Sequence, residues 1–136
     1  ANNENIKIKN YSETSKNLHP VVFAHSSDLS GKTFDNLNLS NAVFYKTNLS
    51  YSSFKNTILD GAIFKGANLT GVDLSKIDLS GKDLTGTILT GADLSGKDLT
   101  GTILAHADLT DAILTGADLT DAILTGADLT NTTMTE

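Results

Sequence analysis

Ala67-Asn68-Leu69-Thr70-Gly71 and Ala92-Asp93-Leu94-Ser95-Gly96 are two copies of one five-residue phrase, and the phrase continues in both directions from each. Stepping by five from Leu29 to Met134 lands on Leu, Phe or Met every time, with Phe at 34, 44, 54 and 64 and no slip. Two residues before each of these apolar centres stands mostly a small residue, and between the two mostly Asp or Asn. A period of five fits neither the 3.6 of a helix nor the 2.0 of a long strand. It does fit three-residue strands joined by tight turns. Strand alternation puts the small residue and the centre on one face, and the Ser/Thr-Gly pair that follows is turn chemistry. Glycines such as Gly71 and Gly101 then supply the positive φ that such a corner demands.

The motif Ala-(Asp/Asn)-Leu-(Ser/Thr)-Gly resembles that of the pentapeptide-repeat family, and the likeness runs over some 110 residues in register. The resemblance implies an all-β fold, a right-handed, four-sided β-solenoid with four pentapeptides per coil. The centres and the small residues would lie inside. Five to six coils stacked at about 4.8 Å would make a stub of roughly 25 Å. One domain is expected, an N-terminal capping segment, 1–21, followed by the solenoid, 22–136. Spacing supports a twenty-residue coil, because Phe34 and Phe54, and likewise Phe44 and Phe64, would then stack in two ladders on opposite sides. A near-exact fifteen-residue duplication, Leu79–Asp93 against Leu94–Asp108, does not match a coil and reads as duplication history.

Composition narrows the function. There is no cysteine, hence no disulfide framework or thiolate metal site. The first twenty residues contain no apolar signal-peptide core, and no apolar run approaches membrane-spanning length. The expectation is a cytoplasmic protein, or a secreted effector fragment, with no membrane insertion. The net charge is −6, unevenly spread. All ten lysines lie at or before Lys97, and seven carboxylates follow it.

No chemistry of catalysis is legible. His19, His25 and His106 have no metal-ligand spacing and no nucleophile beside them, so neither catalytic residue, metal nor cofactor is expected. Gly31-Lys32-Thr33 lacks the upstream glycine of a phosphate loop, since Ser26 stands there. Lys32, Lys82 and Lys97 occupy the inward small-residue position. An unpaired ammonium there would be costly. Their stems are therefore expected to line the interior while the ammonium groups reach solvent through a corner.

Sorting the position before each centre into columns twenty apart maps the outside. One column reads Val43, Ile63, Asp83, Ile103, Ile123, an apolar stripe broken once. Two others, Asp28-Asn48-Asn68-Ile88-Asp108-Asp128 and Asn38-Ile58-Asp78-Asp98-Asp118, are polar to acidic. Exposed apolar area on such a chain marks a contact surface. The expected function is thus a non-enzymatic protein-interaction or scaffold module. The candidate surface is Val43, Ile63, Ile103 and Ile123 together with the final centres Leu119, Leu124, Leu129 and Met134. A homodimer through the C-terminal end is expected, because an uncovered strand edge is seldom left bare.

Two alternatives stand beside it. The resemblance includes members that mimic duplex DNA and bind DNA gyrase, and Asp98, Asp108, Asp111, Asp118, Asp121 and Asp128 form a candidate acidic patch of that kind. This would be mimicry, without direct binding of nucleic acid. The other alternative is the solenoid fragment of a larger bacterial effector.

Overall fold

The structure is a computed structural model in which residues 21–23 and 26–135 are described. The proposed capping segment 1–21 therefore lies, except for Val21, outside the described residues. The solenoid is built from three-residue sides, and parallel bridges link residues twenty apart: Asn48 to Asn68, Ile88 to Asp108, Asp98 to Asp118. Twenty residues thus make one coil of four sides. Face 1 comprises 21–23, 42–44, 62–64, 82–84, 102–104 and 122–124. Face 2 comprises 27–29 and each following twenty up to 127–129. Face 3 runs likewise from 32–34 to 132–134, and face 4 from 37–39 to 117–119. The first step on face 1 is longer, Val22 pairing with Val43.

Most sides follow one hydrogen-bond rule. The centre donates its N–H to the carbonyl of the middle residue one coil on, as Leu29 does to Asn48 at 2.8 Å, and that middle residue donates back, Asn48 N to Ser27 O at 2.8 Å. At the corner the residue three past the centre donates to the centre's own carbonyl, as Ala42 N does to Leu39 O at 3.0 Å. The third residue of such a turn needs positive φ when the turn is type II. From Ser26 to Asn131 every fifth residue has it, Gly71 at 72° and Gly101 at 67° among them, with the single exception of Lys76. Asn, Asp and His tolerate this region better than other side chains, and they fill most corners where glycine is absent. Lys46 and Tyr51 adopt it too.

The interior follows from the columns. Leu29, Phe34, Leu39, Phe44, Leu49 and the leucines from Leu84 to Leu109 are fully enclosed. The phenylalanines stack along opposite faces as the spacing predicts. Phe34 lies on Phe54 with centroids 4.9 Å apart, and Phe44 on Phe64 at 5.2 Å. Across the interior Phe34 meets Phe44 edge-on at 5.7 Å. The N-terminal coils are thus filled by a herringbone of rings and the C-terminal ones by leucine.

The inward lysines require a correction. The Lys82 ammonium, half-buried, turns back to donate to Leu59 O at 3.1 Å. The Lys97 ammonium donates to Leu74 O at 2.7 Å and also to Ile77 O. The reason is a vacancy that every coil possesses. A turn carbonyl has a second lone pair, which inward hydroxyls fill elsewhere: Ser52 on Leu29 O at 2.8 Å, Thr57 on Phe34 O at 2.9 Å, Thr102 on Leu79 O at 3.1 Å. Lys82 and Lys97 make the same bond, each to the centre twenty-three residues back, with an ammonium in place of a hydroxyl. Burial holds the Lys97 amine below the usual lysine range, and the carboxylates of Asp78 and Asp73 act against that.

Candidate interaction surface

The repeat's Asp-Leu-Ser/Thr segment is a self-closing unit. Asp118 accepts the Thr120 N–H at 3.0 Å and its hydroxyl at 2.6 Å, and Asp128 accepts the Thr130 N–H at 3.0 Å. The same bond from the residue two on recurs at Asp98 and Asp108. Such local bonding ties each carboxylate flat against its own turn. The hydroxyl first, and then the turn amide, holds the carboxyls of Asp28, Asp73, Asp78, Asp93, Asp108, Asp118 and Asp128 below the ordinary aspartate range. Among the described residues no group of three or more His, Asp or Glu side chains is placed to hold a metal ion.

A pH dependence follows. Each depressed carboxyl contributes stability above the unfolded aspartate pKa and loses it as pH falls through its lower folded value. The melting temperature is expected to be nearly flat from neutral pH down to about 5 and to decline below about 4, the unfolded aspartate range. A thermal melt series across that range checks it. A stability maximum in acid would contradict the self-closing turns.

The six carboxylates of the acidic patch do not form one surface. Asp98 and Asp118 stack on face 4 and Asp108 and Asp128 on the opposite face 2, while Asp111 and Asp121 sit at corners with φ of 62° and 60°. The apolar column does form one face. Val43 bridges to Ile63 and Ile103 to Ile123 on face 1, with Asp83 between the pairs. Ile63 and Ile123 are 44% and 46% exposed, and Val43 and Ile103 are half-buried. Single isoleucines are comparably exposed on the other faces, namely Ile88 on face 2, Ile113 on face 3 and Ile58 on face 4.

The four final centres are also brought together. Leu119, Leu124, Leu129 and Met134 belong to faces 4, 1, 2 and 3, so they close one ring across the top of the interior. Leu99 and Leu104 below are fully enclosed, whereas Leu129 is 37% and Met134 48% exposed. Among the described residues no inter-coil bond engages the amides of Leu119, Leu124 and Leu129 or the carbonyls of Ala117, Ala122 and Ala127. No described helix is long and apolar enough to cross a membrane.

This geometry defines a repeat solenoid with an apolar interior and most of its variable chemistry outside. The chain belongs to the pentapeptide-repeat family: the model described as pentapeptide repeats matches it in eight copies over residues 27–66, 38–75, 67–105 and 102–136. Comparison with curated protein sequences gives no match. Among solved structures, the pentapeptide repeat protein Rfr23 of the cyanobacterium Cyanothece 51142 is 24% identical, with a TM-score of 0.61, covering 95% of this chain and 98% of that one. A pentapeptide repeat protein of the Arabidopsis thaliana thylakoid lumen is 34% identical, with a TM-score of 0.36 and coverage of 79% and 68%. QnrB1, a plasmid-mediated fluoroquinolone resistance protein, is 20% identical, with a TM-score of 0.48 and coverage of 85% and 58%. The shared architecture is a right-handed quadrilateral β-helix, and members of the family are generally structural or interaction modules.

Proposed function

We propose that this chain is a protein-interaction module that works through face 1, and that a second copy of the chain packs against that face side by side. The observation carrying the proposal is the apolar stripe of Val43, Ile63, Ile103 and Ile123, two bridged pairs on one face, with Ile63 and Ile123 44% and 46% exposed. Burial of that stripe drives the association.

Sedimentation velocity of the parent and of Ile103→Lys/Ile123→Lys tests this. A dimer is expected in the parent and a monomer in the variant. A monomeric parent at high micromolar concentration, or a dimer that survives the isoleucine changes, overturns it. Gyrase mimicry has less support, because the carboxylates it needs divide between opposite faces. A supercoiling assay with added protein tests it.

A further inference from the structure

The ladder between coils is not continuous. Every centre from Leu29 to Leu114 donates its N–H to the next coil except five: Phe54, Leu59, Phe64, Leu74 and Leu79. The bridges 53 to 73, 58 to 78, 63 to 83, 73 to 93 and 78 to 98 are missing with them among the described residues. The coil that follows Leu69 is therefore detached from the coil below it on faces 3, 4 and 1, and from the coil above it on faces 3 and 4. Face 2 stays intact throughout, with Asn68 bridged to Ile88 and Ile88 to Asp108.

One corner stands out within the gap. Lys76 is the one fifth-position residue without positive φ, although the turn still closes, Ile77 N to Leu74 O at 3.1 Å. A turn without positive φ at its third residue aims its flanking peptide planes differently from type II. The strands on either side, around Asp73 and Asp78, then no longer present their amides and carbonyls to both neighbours. Clefts open along the gaps. One of about 560 Å³ lies between Ile58, Leu59 and Asp60 and the stretch Lys76–Asp78, with Lys82 at its edge. Another of about 380 Å³ lies between Asp73 and Leu74 and the residues Asp93 to Asp98. Each is crossed by one of the inward lysines: Lys82 reaches down to Leu59 O, and Lys97 reaches down to Leu74 O and Ile77 O. The Ile77 carbonyl is the one that Asp98 N would take in an unbroken ladder.

We infer that residues 72–83 form a built-in seam at which the solenoid bends. Face 2 is the hinge, face 4 is the side that opens, and Lys82 and Lys97 are the staples that limit the opening. The phenylalanine-filled coils below and the leucine-filled coils above then move as two stiff bodies, and the rod can adapt its curvature to a partner. Freed ladder groups exchange from locally open states at far lower cost than those in intact coils.

Residue-resolved amide hydrogen exchange on the whole chain tests this. In the parent, the amides of Phe54, Leu59, Phe64, Leu74 and Leu79 are expected to exchange at least about tenfold faster than those of Leu49, Leu69, Leu89 and Leu104. Lys76→Gly restores the corner residue that positive φ favours. It should slow the seam amides toward the values of intact coils. Lys97→Met keeps the stem and removes the ammonium, and should speed exchange at Leu74 and Leu79 while leaving Leu104 and Leu109 unchanged. Equal protection across all centres of the parent overturns the seam. So does a Lys76→Gly chain in which the five amides still exchange fast. If Lys97→Met changes no rate, the staple is excluded and so is the proposal as stated.

Discussion

Leu99→Asp is expected to abolish the folded state at ordinary temperatures. Leu99 is fully enclosed, bonded through its amide to Asp118 O at 2.8 Å, and stands in a column of leucines with Leu79 below and Leu119 above. A carboxylate placed there has no partner and either stays charged at a cost of several kcal/mol or takes up a proton, which also works against folding. The change removes the leucine's own contacts as well. Single domains have only about 5–15 kcal/mol to lose. In a solenoid each coil is stabilised by its neighbours, so damage to one spreads to those stacked on it. Circular dichroism should show a melt lowered by more than about 15 °C, or no cooperative melt. A melting temperature within a degree or two of the parent would mean that the centres do not line the interior.

The second large effect is expected at Phe44→Ala, where the loss is one of volume and ring contact without any charge. Phe44 stacks on Phe23 at 4.9 Å and on Phe64 at 5.2 Å, and meets Phe34 and Phe54 edge-on at 5.7 and 6.0 Å. Truncating such a ring leaves a cavity and costs about 3–5 kcal/mol. Aromatic pairs contribute beyond their area. The coils cannot close the hole easily, because ladder bonds on either side fix the distance between neighbouring centres. Phe44→Leu should recover much of the loss, since the leucine-filled coils are built on the same backbone. Chemical denaturation of both variants checks this, and equal loss in the two would argue that ring stacking, not volume, holds the N-terminal coils together.

The regular part of the molecule was legible in the residues alone. The uninterrupted column of Leu, Phe and Met gave the interior, and the twenty-residue spacing of the phenylalanines gave the two stacks seen at Phe34–Phe54 and Phe44–Phe64. The positive-φ corners that carry glycine were legible as well. What escaped is what depends on competition between neighbours. The ladder is interrupted around Lys76, the one corner without positive φ, whereas Lys46 and Tyr51, equally unsuited to a left-handed corner, adopt it at φ of 54° and 60°. A lysine at a corner therefore does not by itself interrupt the ladder. The inward lysines were recognised as irregular, but their carbonyl partners come from turns twenty-three residues back. Those partners emerge only once the coil is wound and the second lone pair of each turn oxygen is counted. The acidic residues looked like one patch because they are close in sequence. Folding places consecutive pentapeptides on consecutive faces, so Asp98 and Asp108 end on opposite sides.

Every face assignment above depends on a coil of twenty residues, and the absence of cysteine from the sequence makes that directly measurable. Paired thiols introduced as Asp98→Cys/Asp118→Cys sit on bridged residues of face 4. The pair Asp98→Cys/Ile113→Cys is closer in sequence but divided between faces 4 and 3. With a short bis-thiol reagent, neighbouring strands at about 4.8 Å should let the first pair cross-link within one chain at least about tenfold faster than the second. Equal rates, or faster closure of the fifteen-residue pair, would contradict the coil and with it the surface map.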